Sequence, residues 1–458
     1  MTEVLAPTMF LCLVIALFAG FPVAFSLSAV AGVFGVIGIT AGHFKVAFLT
    51  NMLFRIQGTF NNDNLLALPL LIFMGMLLER TGIAEDMFVA LNRLFGRLSG
   101  GLAYTTIIVG AALSAITGFV SASVVAIGLI SLPVMLRAKY DPKLATGVVA
   151  ASGTLAQVIP PSLVLIILAE QLEVSLQEIY RGALLPAAVL VGSYLLYIFL
   201  VTRLWPERAP STLQQNGAAQ SGAIAEVLRA AALPLGIVSA VLAAIFFGVT
   251  TPTEGGAIGV VAVLLLGLVT GKLTGRNLRQ AMDVTGILVS GIIFLLLGAS
   301  FFILVFRGLE GHLWIESLFK FLPAGQVGFI VFVNIAIFFL AFFLDFFEIA
   351  FIVLPLIAPI ARGLGIDMVW FTVLIAVNLQ TSFMHPPFGI ALYNLRSVAP
   401  SFVPTSQIYW GAVPFLVLQL LTVALLIAVP QIVTRAPAPV LDGGVLNIEL
   451  SPPPPPLE

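Results

Sequence analysis

Apolar runs of about 17–25 residues, the length a helix needs to cross a bilayer, recur along the whole chain and alternate with short polar intervals. Residues 5–19 and 23–39 are two such runs, split by Gly20-Phe21-Pro22, and the pattern leaves open two short spans or one kinked helix. Residues 43–63 are more polar and read as a connection with interfacial aromatics; with an outside N-terminus, Lys45 and Arg55 in this interval are expected to face the cytoplasm. The run 65–78 follows Asn61-Asn62-Asp63, which supplies helix N-cap chemistry. Residues 83–98 differ: they are apolar at helical spacing, with acids first and arginines last, and predict a helix lying along the interface. Two apolar pieces within 103–136 flank residues 117–123 and predict a re-entrant hairpin, followed by a short basic turn at 137–143 that marks a cytoplasmic loop. The run 144–159 is interrupted by Pro160-Pro161, resumes at 162–169, and is followed by a span at 182–201.

After a polar stretch at 205–225 the order repeats. Spans at 233–249, 257–269 and 287–306 precede an amphipathic segment at 309–322, and two apolar pieces of 327–361 flank Asp345-Phe346-Phe347-Glu348. A second broken helix occupies 368–384 and 388–395 around Pro386-Pro387, and a last span covers 408–433. One offset of 226 residues, that from Pro160 to Pro386, also carries Gly82 onto Gly308, Phe95 onto Phe321, Pro133 onto Pro359 and Asp141 onto Asp367. A gap-free register tying an interfacial helix, a loop aspartate and a Pro-Pro break together is a repeat. The units are 1–203 and 229–433, joined by a linker at 204–228 and followed by a proline-rich tail, 434–458, that reads as disordered. An odd number of crossings in each unit gives the two opposite topology. The fold class is therefore an all-α polytopic membrane protein with inverted repeats, re-entrant hairpins and broken helices.

Composition narrows the function. The chain of 458 residues is 60% hydrophobic and 9% charged, against about a quarter charged in a soluble domain. A net charge of −1 argues against nucleic acid as a partner. Three histidines (His43, His312, His385) far apart in sequence, and one cysteine, Cys12, offer neither a metal cluster nor a nucleophile–base pair, so the chain is not read as an enzyme and needs no cofactor. The first residues lack a basic cluster, which argues against a cleavable signal and for an outside N-terminus.

Small polar residues and double prolines inside apolar runs need a reason. A backbone group freed from a helix in lipid must find a partner, so such breaks persist where protein covers them or they line a cavity. A helix starting after Pro-Pro aims N–H groups and a positive dipole end into the break, which suits a carboxylate. Pro160, Pro161, Ser162, His385, Pro386 and Pro387 are accordingly the candidate substrate contacts. His385 is equally readable as a packed, backbone-bonded histidine.

These residues resemble the large membrane subunit of the tripartite ATP-independent periplasmic (TRAP) transporters. The matching pieces run through nearly the whole chain in order: Gly20 to Ala24, Gly153 to Ser162, Thr251-Pro252-Thr253-Glu254, Leu344-Asp345, Gly365-Ile366-Asp367, and Asn378 to Gly389. Two departures stand out. Thr117-Gly118-Phe119-Val120 replaces a Ser-Gly-Ser-Ser element, and Ser382 and His385 stand where many members carry Gly and Thr. The resemblance implies Na⁺-coupled uptake of an organic acid delivered by a periplasmic substrate-binding protein. It implies a small four-helix membrane subunit as partner, a location in the bacterial inner membrane and an elevator-like movement as in the ion transporter superfamily. A self-sufficient Na⁺/dicarboxylate symporter or ion antiporter of similar repeat architecture is the alternative.

Within that frame two ion sites are expected, because Na⁺ takes hydroxyl, amide and carbonyl oxygens without stranding a charge. The first joins Thr117, Gly118, Ser121 and Ser123 to Ser152, Gly153 and Thr154; the second joins Asp345 and Glu348 to Asn378, Thr381 and Ser382. The competing reading is that each hydroxyl bonds back to its own helix. Thr253 and Glu254 are expected to cap a helix start or couple domains, and the amphipathic helices to meet membrane lipid or brace a moving domain.

Overall fold

The structure, a computed structural model, describes residues 2–80, 82–211, 223–319, 325–386 and 389–434. Phe321 of the repeat register, Pro387, Phe388, residues 212–222 of the linker and the proline-rich tail beyond 434 lie outside the described residues.

Every regular element among the described residues is helical. Thr2–Phe18 and Val23–Thr40 are separate helices packed against each other, so the Gly20-Phe21-Pro22 segment is a tight turn. This corrects the side assigned to Lys45 and Arg55: two crossings return the chain to the face on which it began. The same region is not a plain connection, since Val46–Leu49 and Asn51–Phe60 are helical. Asn51–Phe60 buries no residue within the chain, as an amphipathic interfacial helix would. Asp63–Arg80 then crosses, Ile83–Phe95 is the first interfacial helix, and Gly101–Thr117 with Val120–Arg137 forms the first hairpin. Pro142–Thr154, a 3₁₀ turn at Leu155–Gln157, and Leu163–Gln171 make the first broken helix, and Leu176–Leu204 completes the unit.

The second unit reproduces this series in the 226-residue register. Ala223–Phe246, Pro252–Val269 and Gly275–Gly308 cross, and Gly311–Phe319 is the second interfacial helix. Gly325–Leu340 and Phe346–Gly363 form the second hairpin. Met368–Leu379, a 3₁₀ turn at Gln380–Met384, and Ile390–Val398 form the second broken helix, followed by Thr405–Ala428. The second arm of the second hairpin contains a π-helical turn, Ile349–Val353, that its counterpart lacks.

Packing between the units is reciprocal. Asp63–Arg80 lies on Pro252–Val269, and Val23–Thr40 on Gly275–Gly308; Pro142–Thr154 lies on Thr405–Ala428, and Met368–Leu379 on Leu176–Leu204. Contacts that exchange partners in this way are the mark of a two-fold axis. Hydrogen bonds at the helix ends place those ends on two faces. Asn62 to Glu170, Gln177 to Ile245 O, and Arg362 to Leu172 O define one face. Lys272 to Asp86, Arg80 to Gln280, Ser99 to Ala209 O, and Asp141 N to Arg208 O define the other. The first hairpin opens from the second face and the second hairpin from the first. Each unit then crosses five times among the described residues, with the broken helix counted once, and an odd number inverts the second unit relative to the first. The second face carries Arg93, Arg97, Arg137, Lys139, Lys143, Arg203, Arg208, Lys272, Arg276 and Arg279, and is the cytoplasmic one by the positive-inside rule.

Two groups of helices result. An outer frame comprises the first three spans of each unit, and an inner core comprises the hairpins, the broken helices and the last span of each unit. The core is held by close backbone approach. A Cβ built on Gly147 would lie 2.0 Å from Gly411 O, and one on Gly411 would lie 2.2 Å from Lys143 O, so only glycine fits this helix crossing.

Candidate functional site

The first hairpin turns at Gly118, whose φ of +60° is a left-handed conformation that favours glycine. The missing side chain has a second use: a Cβ there would stand 2.4 Å from Pro161 O. Gly118 O in turn accepts a hydrogen bond of 3.2 Å from Leu163 N, the first residue of the half-helix after the break. Leu165 N is met by Ser162 Oγ at 3.4 Å, and Ser162 Oγ donates to Gln157 O. The start of this half-helix is therefore not a fan of free N–H groups, as the sequence suggested: hairpin and Ser162 cap part of it.

Thr117 Oγ1 and Ser123 Oγ lie 2.7 Å apart at the hairpin tip, and Thr117 Oγ1 also donates to Leu113 O. The hairpin's first arm touches the break through Ser114 Oγ to Ser152 O, at 3.4 Å. Gly153 is wedged against the second arm, with a built Cβ falling 2.3 Å from Val124 Cγ2. Thr117, Gly118, Ser123, Ser152, Gly153, Pro161 and Ser162 thus form one neighbourhood, while Ser121 on the second arm is half-buried and Pro160 is buried.

The second hairpin turns at Asp345. Glu348 N donates to Asp345 Oδ1 and Asp345 N to Glu348 Oε2, both at 2.9 Å, a reciprocal capping box that starts the second arm. Each carboxylate keeps its other oxygen outside this pair. From the first arm Asn334 reaches the second break: Asn378 Nδ2 donates to Asn334 O at 2.8 Å and to Asn334 Oδ1 at 3.0 Å. His385 is fully buried between Phe342, stacked at 4.2 Å, and Phe338, edge-on at 4.6 Å. The backbone of Ala341 approaches its ring, but neither ring nitrogen makes a well-formed hydrogen bond among the described residues. Gly389 N closes the turn onto His385 O at 2.6 Å, and Pro386 is half-buried.

The hydroxyls in the helices do bond back. Ser152 donates to Val149 O, Thr154 to Ala151 O, Thr381 to Asn378 O and Ser382 to Leu379 O, at 2.7–2.9 Å. Such a bond uses the proton and leaves oxygen lone pairs for a cation. What the back-bonding does not absorb is amide. Gln157 has both side-chain polar atoms buried without a partner among the described residues, and Asn378 Oδ1, Gln380 Oε1 and Gln419 Oε1 are likewise unmatched. Leaving a buried polar atom unmet costs about 1–3 kcal/mol, and these four side chains lie at or beside the two breaks. Their other atoms knit the core: Gln380 Nε2 donates to Thr154 Oγ1 at 3.2 Å, and Gln419 Nε2 to Tyr194 Oη at 2.9 Å.

Asn334, Gln157, Gln380, Gln419 and Tyr194 escaped the reading of motifs. Asn334 had a signal, being an amide in the middle of the apolar arm Gly325–Leu340, well inside the Gln326 at its start. Glu254 and Thr251 form a capping box at the start of Pro252–Val269. They sit with Gln177 and Ser175 on an open cleft of the outer face, away from both breaks. Thr253 is half-buried beside them.

Comparison with known proteins supplies what geometry cannot. The profile of the tripartite ATP-independent periplasmic transporter family, DctM component, matches residues 10–432. The sialic acid TRAP transporter large permease SiaM of Vibrio cholerae is 26% identical over 429 residues, covering 93% of this chain and 97% of the relative. The ectoine/5-hydroxyectoine TRAP large permease UehC of Ruegeria pomeroyi is 27% identical over 433 residues, 93% of this chain and 97% of its own length. The C4-dicarboxylate TRAP large permease DctM of Rhodobacter capsulatus is 26% identical over 400 residues, covering 81% and 86%. Among solved structures, the YdaH transporter of Alcanivorax borkumensis shares the fold, with a TM-score of 0.60 over 91% of this chain and 98% of that one at 14% identity.

Proposed function

The chain belongs to the tripartite ATP-independent periplasmic transporter family as a DctM component, and from that premise we propose that it is the permease of a Na⁺-coupled carrier for an organic acid. It is a multi-pass protein of the bacterial inner membrane. A periplasmic substrate-binding protein delivers the acid to the outer face, a small four-helix membrane subunit completes the complex, and the core moves against the frame in an elevator-like step. Relatives named for sialic acid and C4-dicarboxylates support an acid as cargo. Selection by the binding protein leaves the permease with a generic carboxylate to hold.

The observation that carries this reading is the set of unmatched polar atoms at two breaks, each braced by its own hairpin. Asn378 Oδ1 and the back-bonded hydroxyls of Thr381 and Ser382 beside it are neutral oxygens, the chemistry that suits Na⁺. The first site is assigned to Thr117, Gly118 and Ser123 of the hairpin tip with Ser152 and Gly153 of the break, Ser121 and Thr154 lying one step further out. In the second Asn378, Thr381 and Ser382 lie beside the hairpin whose tip carries Asp345 and Glu348. No Lys or Arg occurs within residues 152–171 or 378–395, so the acid is held by backbone N–H groups, Ser162 and His385 around the two Pro-Pro turns.

Reconstitution tests this. Proteoliposomes containing the chain with its small subunit should accumulate labelled acid only when external Na⁺ and the loaded binding protein are both present. Equal uptake with K⁺ contradicts sodium coupling; uptake that ignores omission of the binding protein favours a self-sufficient carrier.

A further inference from the structure

Thr154 and Gln380 occupy equivalent positions of the two repeats, 226 residues apart, and they touch: Gln380 Nε2 donates to Thr154 Oγ1 at 3.2 Å. A residue that contacts its own repeat mate lies on the two-fold axis. Both side chains are fully buried. Thr154 closes the helix Pro142–Thr154, next to Ser152 and Gly153, and its hydroxyl donates a hydrogen bond to Ala151 O at 2.9 Å. Gln380 opens the 3₁₀ turn that carries Thr381 and Ser382, two residues after Asn378. The sulfur of Met384, at the end of that turn, lies 3.8 Å from Thr154 Oγ1 and 3.3 Å from Gln419 Nε2.

We infer that Gln380 and Thr154 are positioning residues that couple the two candidate cation sites, so that Na⁺ bound at one break raises the affinity of the other. The inference rests on reading both breaks as Na⁺ sites. A cation drawing on the oxygens of Ser152 to Thr154 re-aims the Thr154 hydroxyl, whose neighbours are the Ala151 carbonyl, the Gln380 amide, the Met384 sulfur and the Tyr194 hydroxyl; of these the Gln380 amide belongs to the turn of the other break. The Gln380 amide then pulls on the turn bearing Thr381 and Ser382. Burial keeps the link from being exchanged for a bond to water, and its place on the axis makes the effect reciprocal, as any coupling between two sites must be.

The test needs no organic acid. The thermal unfolding midpoint of the purified full-length chain is followed as Na⁺ replaces K⁺ at constant ionic strength. Wild type should be stabilised by Na⁺ along a sigmoidal curve, with a Hill coefficient above 1. Gln380→Leu should still be stabilised by Na⁺, with a Hill coefficient near 1. If Gln380→Leu does not fold, Gln380→Met is the substitute of similar shape. An unchanged Hill coefficient in the variant, or a Na⁺ response without cooperativity in wild type, overturns the coupling and leaves the sodium reading intact. Loss of all Na⁺ response in the variant also overturns it, because Gln380 would then be a ligand. No response in wild type fails the sodium reading itself, and the coupling with it.

Discussion

Asp345 shows how one residue can serve structure and still be open to function. Its Oδ1 caps the arm Phe346–Gly363 by accepting from Glu348 N, while its other oxygen lies outside the pair with Glu348. Asn caps helices as well as Asp does. Asp345→Asn should therefore leave the thermal midpoint nearly unchanged while raising the Na⁺ concentration for half-maximal uptake severalfold; an unchanged Na⁺ dependence would reduce Asp345 to a cap. Gly118 offers the opposite case. A left-handed backbone costs a non-glycine residue roughly 1–2 kcal/mol, and a Cβ would also strike Pro161 O, 2.4 Å away. Gly118→Ala should lower the unfolding midpoint and cut uptake at least about tenfold, a rate effect of 1.4 kcal/mol or more; normal uptake would mean the hairpin tip need not seat on the break. At this scale the sequence was informative about places and less so about roles. The Pro-Pro breaks, hairpin tips and His385 were visible as polar residues in apolar runs. That Ser162 caps its own half-helix, and that Gln157 and Gln380 carry the unmatched atoms, depended on contacts between segments far apart in the chain.

The helices themselves were legible because membrane spans announce themselves by length and apolarity, and the single repeat register aligned them. Most boundaries moved by a few residues, but the spans read at 233–249 and 287–306 start earlier, at Ala223 and Gly275, and the 43–63 region was misread: the amphipathic helix Asn51–Phe60 is short and its charge sparse. Close crossings were not legible, because a glycine in an apolar run looks the same whether it faces lipid or another backbone. Gly147 and Gly411 face each other across Pro142–Thr154 and Thr405–Ala428. Gly147→Leu should push these helices apart and reduce folded protein in the membrane, read as loss of the monodisperse peak in detergent. A well-folded variant would show that the crossing tolerates separation.

For the molecule as a whole, two inverted units place one hairpin on each face and bring the two breaks together on the axis between them. The inner core can move relative to the frame only if bonds across their boundary open. Asn62 Nδ2 to Glu170 Oε2, at 2.7 Å, is one such bond on the outer face. In a Cys12→Ser background, Asn62→Cys with Glu170→Cys joined by a short bifunctional thiol reagent should block uptake, and a cleavable linker should restore it on reduction. Uptake that survives cross-linking would exclude separation of core and frame at this point.

The central claim is that the paired breaks hold the coupling ions, and it is tested most directly by Asn378→Ala and Ser382→Ala in reconstituted uptake. Both should raise the Na⁺ concentration needed for half-maximal uptake without lowering the amount of protein in the membrane. A Na⁺ dependence that stays at the wild-type value in both would contradict the assignment of the second break as an ion site.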